Sequence, residues 1–337
     1  MTPDLSIVIP TYNRPADLEL VIEALMRQQT GGVSYEVIVA DNNSREETRA
    51  VVDRAVARGT AAPLRYIREP RQGISYARNT GVSIARSSRL AFLDDDGVPV
   101  PTWVREVKDA FDQHPDVDCF GFRIRPVWST PAPSWLTAAN SGPIAIQDRP
   151  NPAPLDREHA FACLLSANLA CRRQAFDQVG GFSPLYARSE DREFELRLWN
   201  AGKRGLYLPI ADVLVDVPAN RLTKDYHRRW QVVVAHYHAL MRYHDRLDGS
   251  GRLIPDGTYI TWLRVPRFMY RSCLQHIGAW LRAALTGRAD ERFREELQIR
   301  YYVSFFRSRW PTAWAAGSRW SRQSPQLSTA SGSGSTR

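Results

Sequence analysis

The chain of 337 residues is 43% hydrophobic and has a formal charge of +9, which excludes wholesale disorder and allows one α/β domain with an extension, or two modest domains. Its four cysteines are far apart and form no CxxC pair, which argues against a structural zinc site or a disulfide framework and indicates reduced thiols in a cytoplasm. The first residues lack the pattern of a signal peptide, and no run of about 18 apolar residues occurs, so we expect no membrane-spanning helix and a cytoplasmic location.

The first 125 residues alternate between short runs rich in β-forming residues and stretches with helical periodicity. The β-rich runs lie at residues 5–10, 35–40, 64–68, 90–93 and 118–125. The helical stretches between them lie at residues 17–27, 46–58, 74–85 and 103–111. This alternation predicts an α/β fold with a mainly parallel sheet and helices on both faces. In such sheets ligands bind beyond the carboxyl ends of the strands.

Polar residues follow four of the β-rich runs and are candidates for a binding site. They are Thr11-Tyr12-Asn13-Arg14, Asp41-Asn42-Asn43-Ser44, Arg71-Gln72-Gly73 and Asp94-Asp95-Asp96. Because the carboxyl ends of parallel strands lie at one edge of a sheet, we expect these four groups to converge. Their convergence indicates a functional site more strongly than any single group does.

Asp94, Asp95 and Asp96 end an apolar run. Three adjacent carboxylates repel one another unless a cation lies among them. A divalent ion such as Mg²⁺ or Mn²⁺ takes oxygen ligands and binds readily between carboxylates and phosphates. The alternative is a turn whose acids cap the helix that begins near Thr102.

Other polar residues near the strand ends have two interpretations each. Asp41 either caps the following helix or accepts a hydrogen bond from a nucleobase or ribose, and Tyr12 either stacks on a base or packs. Gly73 allows a ligand to approach the backbone closely. Basic side chains on helices are commonly solvated, but three residues lie where they could contact phosphates: Arg71, Arg78 and Asn79. Neither a GxGxxG fingerprint nor a P-loop motif occurs.

The middle of the chain predicts a loop followed by a second block of strands and a helix. Residues 126–158 are rich in Pro, Ser, Ala and Asn, which predicts a long irregular loop over the site. After it come a strand-like stretch at 164–171, a turn at Gly180-Gly181, a helix at 190–201 and strands at 205–208 and 212–217.

The helix at 190–201 begins with the acidic pair Glu190-Asp191. Acidic residues are favoured in the first turn of a helix by the helix dipole, which is a sufficient explanation of the pair on its own. The functional alternative is that one carboxylate acts as a general base and takes a proton from an attacking hydroxyl.

From residue 221 onward the pattern is helical, basic and aromatic. Residues 221–337 contain 20 Lys+Arg against 8 Asp+Glu, whereas residues 1–220 contain 25 against 28, and six of the ten tryptophans follow residue 220. This composition indicates an anionic partner surface, either membrane or nucleic acid. The alternative is a solvated helical surface. The tail at residues 323–337 is of low complexity and is predicted to be disordered.

Six segments of the chain together resemble the family 2 glycosyltransferases of the GT-A fold. In order they are IVIPTYNR (7–14), DNNS (41–44), RQGISYARNTG (71–81), FLDDD (92–96), SANLACRRQAFDQVGGFSP (166–184) and SEDREFELRLWNAG (189–202). The resemblance covers about residues 5–220. It implies a GT-A catalytic domain at 1–220, with a nucleotide-sugar half at about 1–125 and an acceptor half at about 126–220. A helical extension would occupy 221–322.

The resemblance also implies roles for single residues. The donor would be a nucleotide diphosphate sugar and the acceptor a hydroxyl, with inversion at the anomeric carbon. Thr11, Tyr12 and Asp41 would hold the nucleoside, and Arg71 and Arg78 would lie near the diphosphate. Asp94 and Asp96 would bind Mn²⁺ or Mg²⁺, and Asp191 of the Glu190-Asp191 pair would be the catalytic base. The predicted donor-binding set is completed by Arg14, Gly73, Asn79 and Asp95.

One position departs from the family pattern. Family members often carry a histidine metal ligand after the last strand, and the corresponding position in LVDVPANRLTK is Val215, which cannot bind metal. The neighbouring Asp216 or the later His227 could replace it, or the metal could rely on the aspartates and phosphates. His227 also fits an ordinary histidine on a helix surface.

The leading hypothesis is an inverting glycosyltransferase in polysaccharide, glycolipid or natural-product glycoside synthesis. A nucleotidyltransferase could also use metal-binding aspartates on such a sheet, but it would not need Asp191 as a base. A basic membrane or nucleic-acid module with an inert GT-A domain would not need the aspartates to be intact. A combined hypothesis places an active catalytic domain in the cytoplasm, with its extension lying peripherally on the anionic inner membrane face. Nucleic acid is the less favoured partner.

Overall fold

The computed structural model of the chain describes residues 2–137, 140–315 and 320–321. Within these residues one sheet of nine strands forms the centre of the fold, in the order β3-β2-β1-β4-β8-β6-β9-β5, with β7 paired to β9. The strands are β1 (Leu5–Thr11), β2 (Tyr35–Asp41), β3 (Leu64–Arg68), β4 (Arg89–Leu93), β5 (Gly97–Pro99), β6 (Cys119–Trp128), β7 (Ala153–Leu155), β8 (Asn168–Arg172) and β9 (Gly205–Val217).

The strands β3, β2, β1 and β4 are parallel, and β8 pairs antiparallel with both β4 and β6. The helices of this part of the chain are α1 (Pro15–Met26), α2 (Glu46–Ala57), α3 (Ile74–Ile84), α4 (Trp103–Gln113), α5 (Arg173–Val179) and α6 (Glu190–Asn200). The predicted fold class, a mainly parallel sheet flanked by helices, is therefore confirmed.

Apolar cores lie on both faces of the sheet because the side chains of β1 alternate between them. Ile7 and Ile9 belong to the core that α1, α2 and α4 cover, whereas Val8 belongs to the core under α3, α5 and α6. Every residue of β1 is buried. A strand covered on both faces appears in the sequence as a continuous apolar run, which is why Leu5–Pro10 could be recognised.

Several elements differ from the sequence-based expectation. The three-residue strand β7 lies inside the stretch predicted as an irregular loop, and the helix α5 was not predicted. The two strands expected around Pro209 form the single strand β9, whose register with β6 shifts between Phe122 and Ile124. Proline removes one ladder hydrogen bond, and this irregularity accommodates it without ending the strand.

The residues after 221 form three long helices, α7 (Lys224–Leu240), α8 (Arg267–Leu285) and α9 (Ala289–Ala315). Their shared core includes Val234, Met269 and Phe305. The extension is not wholly helical, because β10 (Thr261–Trp262), β11 (Val265–Pro266) and β12 (Trp320–Ser321) form a small antiparallel sheet. None of the described helices is long and apolar enough to cross a membrane. The tail at 323–337, predicted to be disordered, lies outside the described residues.

Candidate active site

The carboxyl ends of β1 and β4 bring a threonine, an arginine and three aspartates together. The Thr11 hydroxyl donates to Asp95 at 2.8 Å. Arg14, one residue before α1, donates to Asp96 at 2.5 Å and lies 3.6 Å from Asp95. These residues are more than 80 positions apart in the sequence, and the parallel pairing of β1 with β4 places them side by side.

Arg78 connects the aspartates to the acidic end of α6. Its guanidinium donates to Asp94 at 2.8 Å and to Glu190 at 2.7 Å. Only 1% of the side chain is exposed. A buried arginine between two carboxylates holds both in place. Residues from α3, the end of β4 and the start of α6 therefore form one connected charged group.

Burial raises the pKa of Asp94, and it raises the pKa of Asp95 to about 7 although Thr11 and Arg14 act in the opposite direction. Burial and the neighbouring Asp191 also raise the pKa of Glu190, against the effect of Arg78. The ionised carboxylates are therefore costly in this arrangement, and a cation among them would be stabilised.

A second polar cluster lies at the end of β2. The buried carboxylate of Asp41 accepts a hydrogen bond from the Ser44 backbone N–H at 2.9 Å and one from the Tyr66 hydroxyl at 2.5 Å. Burial, followed by the bond to Asp41, raises the pKa of Tyr66. The cluster fixes the position of the Asp41 carboxylate, which is a requirement for specific recognition of a bound group.

The turn before α3 is attached to the same strand end. The Asn42 side chain accepts from the Gly73 N–H at 2.8 Å and donates to the Arg71 carbonyl oxygen at 2.6 Å. Gly73 has a φ of 138°, a conformation that favours glycine. This explains why a glycine precedes the helix, and the bond to Asn42 engages its N–H.

Tyr12 and Arg71 are the most exposed of the predicted donor-binding residues. Half of the Tyr12 side chain is exposed. The Arg71 guanidinium makes two hydrogen bonds to Glu69 and lies over the Tyr76 ring at 4.4 Å. The bond from Arg71 is the main cause that lowers the pKa of Glu69 to about 2.

Asn79 is engaged within the protein. Its side-chain oxygen accepts from the Phe182 N–H at 2.9 Å, and its side-chain nitrogen donates to the Phe182 carbonyl oxygen at 2.8 Å. A direct contact of Asn79 with the donor would compete with these two bonds. In this arrangement Asn79 fastens α3 to the segment after α5.

Helix α6 carries four carboxylates with different surroundings, of which Glu193 is paired with Arg197 at 2.9 Å. Glu190 is bonded to Arg78, and Glu195 is buried and accepts from the Leu164 N–H at 2.7 Å. Burial raises the pKa of Glu195 to about 8. Asp191 is partly exposed and accepts from the Arg192 backbone N–H. Of the four, Asp191 is the one that is partly exposed and forms no ion pair within the described residues.

Comparison with known proteins identifies the family. The sequence profile of glycosyl transferase family 2 matches residues 6–178, about half of the chain. The chain belongs to glycosyl transferase family 2. A glycosyltransferase of Haemophilus influenzae with no assigned specificity is 29% identical over 202 residues, which cover 58% of this chain and 61% of that protein. Validoxylamine A glucosyltransferase of Streptomyces hygroscopicus subsp. limoneus is 38% identical over 107 residues, 31% of this chain and 23% of that enzyme.

The matched regions thus span less than two thirds of these relatives' own lengths. Among solved structures, a mannosyltransferase from Pyrobaculum calidifontis in complex with GDP-Man and Mn²⁺ superimposes with a TM-score of 0.57. It is 16% identical, and the match covers 92% of this chain and 88% of that one. This likeness establishes the GT-A fold.

The three positions considered for a third metal ligand in this family 2 chain have different environments. Val215 is buried and pairs with Gly97 of β5, and Asp216 next to it is exposed. His227 is buried in α7, and its Nε2 lies 3.2 Å from the Arg221 carbonyl oxygen. The expectation of a surface histidine was wrong, because Trp135 packs edge-on to the ring at 4.9 Å. Burial lowers the pKa of His227.

The structure joins ten of the sequence-predicted residues into two neighbouring clusters, whereas Tyr12, Asn79, Asp191, Asp216 and His227 belong to neither. Thr11, Arg14, Arg78, Asp94, Asp95, Asp96 and Glu190 form one, and Asp41, Arg71 and Gly73 are joined to the end of β2. Three residues of the site were not predicted from the sequence. They are Tyr66, which bonds to Asp41; Asn42, which connects β2 to the turn at Gly73; and Arg221, whose guanidinium lies 3.8 Å from Asp96. Asn42 and Arg221 lie in segments that had been singled out, but no local pattern marks their partners.

Hard oxygen donors suitable for a divalent cation are present at Asp94, Asp95 and Asp96. Within the described residues no three His, Cys, Asp or Glu side chains are arranged to hold a metal ion by themselves. Mg²⁺ is commonly held by one or two carboxylates together with substrate phosphates. The donor set therefore fits a cation that arrives with a diphosphate.

Proposed function

We propose that this chain is an inverting glycosyltransferase that moves a sugar from a nucleoside diphosphate donor to an acceptor hydroxyl. The observation that carries the proposal is the pair of polar clusters at the ends of β1, β2 and β4, connected by the loop Thr11–Arg14. Asn13 in this loop donates its N–H to Ser44, while Thr11 and Arg14 bond to the aspartates. A nucleoside diphosphate has the matching form, with a neutral base and ribose at one end and an anionic diphosphate at the other.

In this proposal the Asp41 cluster holds the nucleoside and the aspartate cluster receives the diphosphate. Tyr12 is exposed enough to stack on the base, and Thr11 lies between the two clusters. Arg71, Gly73 and Arg14 lie at the same edge and can approach the phosphates. The predicted role of Asn79 becomes indirect, through the position of α3.

We assign Asp94 and Asp96 as the residues that would hold Mn²⁺ or Mg²⁺, together with phosphate oxygens. The relative from Pyrobaculum calidifontis, crystallised with GDP-Man and Mn²⁺, supports a cation of this type. When bound, such an ion supplies positive charge near the diphosphate and stabilises it as a leaving group. Asp216 and His227 remain proposals for a further ligand. Asp216 is exposed, whereas His227 would need a rearrangement around Arg221.

Asp191 is proposed as the catalytic base. It accepts the proton of the acceptor hydroxyl while the hydroxyl oxygen forms a bond to the anomeric carbon. The bond from that carbon to the diphosphate oxygen breaks, and the diphosphate leaves with the electron pair. Attack opposite the leaving group inverts the anomeric configuration. A positioned base is worth roughly 10²–10⁴-fold in rate.

Glu190 positions this end of α6 through its bond to Arg78. Arg78 thereby connects the leaving-group side of the site with the base, because the same guanidinium also bonds to Asp94.

We further propose that residues 1–220 are the catalytic domain, with the donor half before and the acceptor half after about residue 125, and that 221–322 is an extension. The enzyme would act in the cytoplasm, with the extension resting on an anionic membrane surface. The surplus of basic residues after 221 supports this location. Acceptors in polysaccharide, glycolipid or natural-product glycoside synthesis fit a hydroxyl nucleophile.

A donor screen by thermal shift tests the proposal. The full chain is melted with UDP-, GDP- and dTDP-sugars, each with and without Mn²⁺. A ligand at 100 times its dissociation constant adds about 2.7 kcal/mol of stability. We expect one nucleotide sugar to stabilise the chain only when Mn²⁺ is present. The effect should disappear in Asp96→Ala and persist in Asp53→Ala, which removes an exposed carboxylate of α2. The proposal would be contradicted if no nucleotide sugar raised the melting temperature, or if the donor raised it equally in both variants.

A further inference from the structure

Helix α8 packs along one side and exposes apolar residues along another. Met269, Cys273 and Ala283 are buried in its packed side. Four apolar residues on the outside have exposed fractions of 69%, 36%, 51% and 88%: Leu274, Ile277, Leu281 and Leu285. Their spacings of three, four and four residues place them on one face of the helix, and we call them the leucine stripe.

The leucine stripe is a continuous feature, whereas isolated apolar residues on a surface are ordinary. It extends over three helical turns. An exposed apolar strip of this length is typical of a surface that a partner covers.

The charges on α8 are all of one sign. The helix contains Arg267, Arg271, Arg282 and a histidine, and no aspartate or glutamate. At about 100° per residue, Arg271 and Arg282 both lie about 80–100° to the same side of Leu281. Both are exposed, and no carboxylate in the described part of the chain pairs with them. On α9, by contrast, Arg294 and Arg300 pair with glutamates.

We propose that the leucine stripe docks on an anionic lipid bilayer, with α8 lying in the plane of the interface. The leucine and isoleucine side chains would enter the boundary between headgroups and acyl chains, and Arg271 and Arg282 would contact lipid phosphates. This assignment rests on the proposed peripheral location and identifies the face responsible.

The charge pattern favours lipid over the two other occupants. Nucleic acid would satisfy the arginines but would leave the leucine stripe in water. A second copy of the chain, packed stripe to stripe, would bring two basic helices together without an acidic residue on either, and like charges in apposition are unfavourable. An anionic bilayer can bury the leucine stripe among its acyl chains and bind the arginines through its phosphates.

Vesicle flotation of the full chain tests the assignment. Wild type is mixed at low salt with vesicles of phosphatidylcholine alone or of equal parts phosphatidylcholine and phosphatidylglycerol. We expect binding to the anionic vesicles only, and at least a ten-fold weaker partition for Leu281→Ser/Leu285→Ser. Arg271→Gln/Arg282→Gln should lose about five-fold per arginine. Leu20→Ser changes a leucine on α1 that is 58% exposed; it is the control and should bind as wild type. Thermal melting checks that all variants are folded.

Each of the other outcomes refutes a different part of the proposal. No binding of wild type to vesicles, or binding without preference for the anionic ones, refutes docking on an anionic bilayer. Strong binding that the stripe variant retains refutes the role of α8. A wild-type dimer in sedimentation that the stripe variant abolishes would assign the surface to a second copy. Donor binding, measured by thermal shift on the same variants, is independent of these results, so failure here is distinguishable from failure of the transferase proposal.

Discussion

Replacing Arg78 by methionine should cost far more stability than the loss of an ordinary ion pair. Arg78 is 1% exposed and donates at 2.7 and 2.8 Å to Glu190 and Asp94, which are themselves largely protected from water. Methionine has a similar reach but no charge, so two carboxylates would be left without their partner. Breaking a buried pair in this way typically costs about 3–5 kcal/mol.

The magnitude should depend on pH. Burial already raises the pKa of Asp94 and of Glu190, and Arg78 opposes that rise. Without Arg78 both pKa values rise further, so the folded variant holds protons that the unfolded chain releases near pH 4. Stability of the variant relative to wild type therefore falls as pH increases above 4, and the deficit is larger at pH 8 than at pH 5.

Urea unfolding followed by tryptophan fluorescence measures the effect, since the chain has ten tryptophans. The matched control is Arg27→Met, which removes an exposed arginine from an i,i+4 pair with Glu23. Pairs of this kind contribute at most about 1 kcal/mol. An Arg78→Met variant that loses no more stability than Arg27→Met, or a loss that is the same at pH 5 and pH 8, would refute this reasoning.

Two further stability predictions follow from buried groups. Burial raises the pKa of Glu195 to about 8, so wild type loses stability as pH rises from about 4.5 to about 8. Glu195→Gln does not titrate and should therefore gain stability relative to wild type over that range. A difference in urea midpoint that stays constant from pH 5 to pH 9 would contradict this. A Cβ at Gly205 would lie 2.3 Å from the buried Trp199 ring, so Gly205→Ala should cost about 1–3 kcal/mol. Gly249→Ala meets no atom within 4 Å and should melt as wild type; equal melting temperatures of the two variants would count against the packing argument.

The residues of the site that directly follow a strand could be predicted from the sequence. The apolar run of β1 and the polar Thr11 after it are adjacent in sequence, and parallel pairing then places Thr11 beside the aspartates after β4. This inference needs only the period of the strands and the rule that parallel strands end at one edge.

The parts that depend on contacts between distant side chains could not be predicted. Arg78 and Glu190 are 112 residues apart, and no local pattern distinguishes this arginine from a solvated one. The burial of His227 depends on Trp135, in the segment expected to be an irregular loop. The strands β5 and β7 are three residues long, too short for a period to appear, and form because β9 offers edges for pairing.

The most direct test of the central claim is the turnover of Asp191→Asn once the donor and an acceptor are identified. We predict that the Asp191→Asn variant binds the donor with the same dissociation constant as wild type. The rate of transfer at saturating donor, measured as nucleoside diphosphate release, should fall by about 10²–10⁴-fold. Glu193→Gln is the matched control, because Glu193 lies on the same helix and pairs with Arg197, and it should retain transfer. Full activity of Asp191→Asn, or a loss of donor binding equal to the loss of transfer, would contradict the assignment of Asp191 as the base.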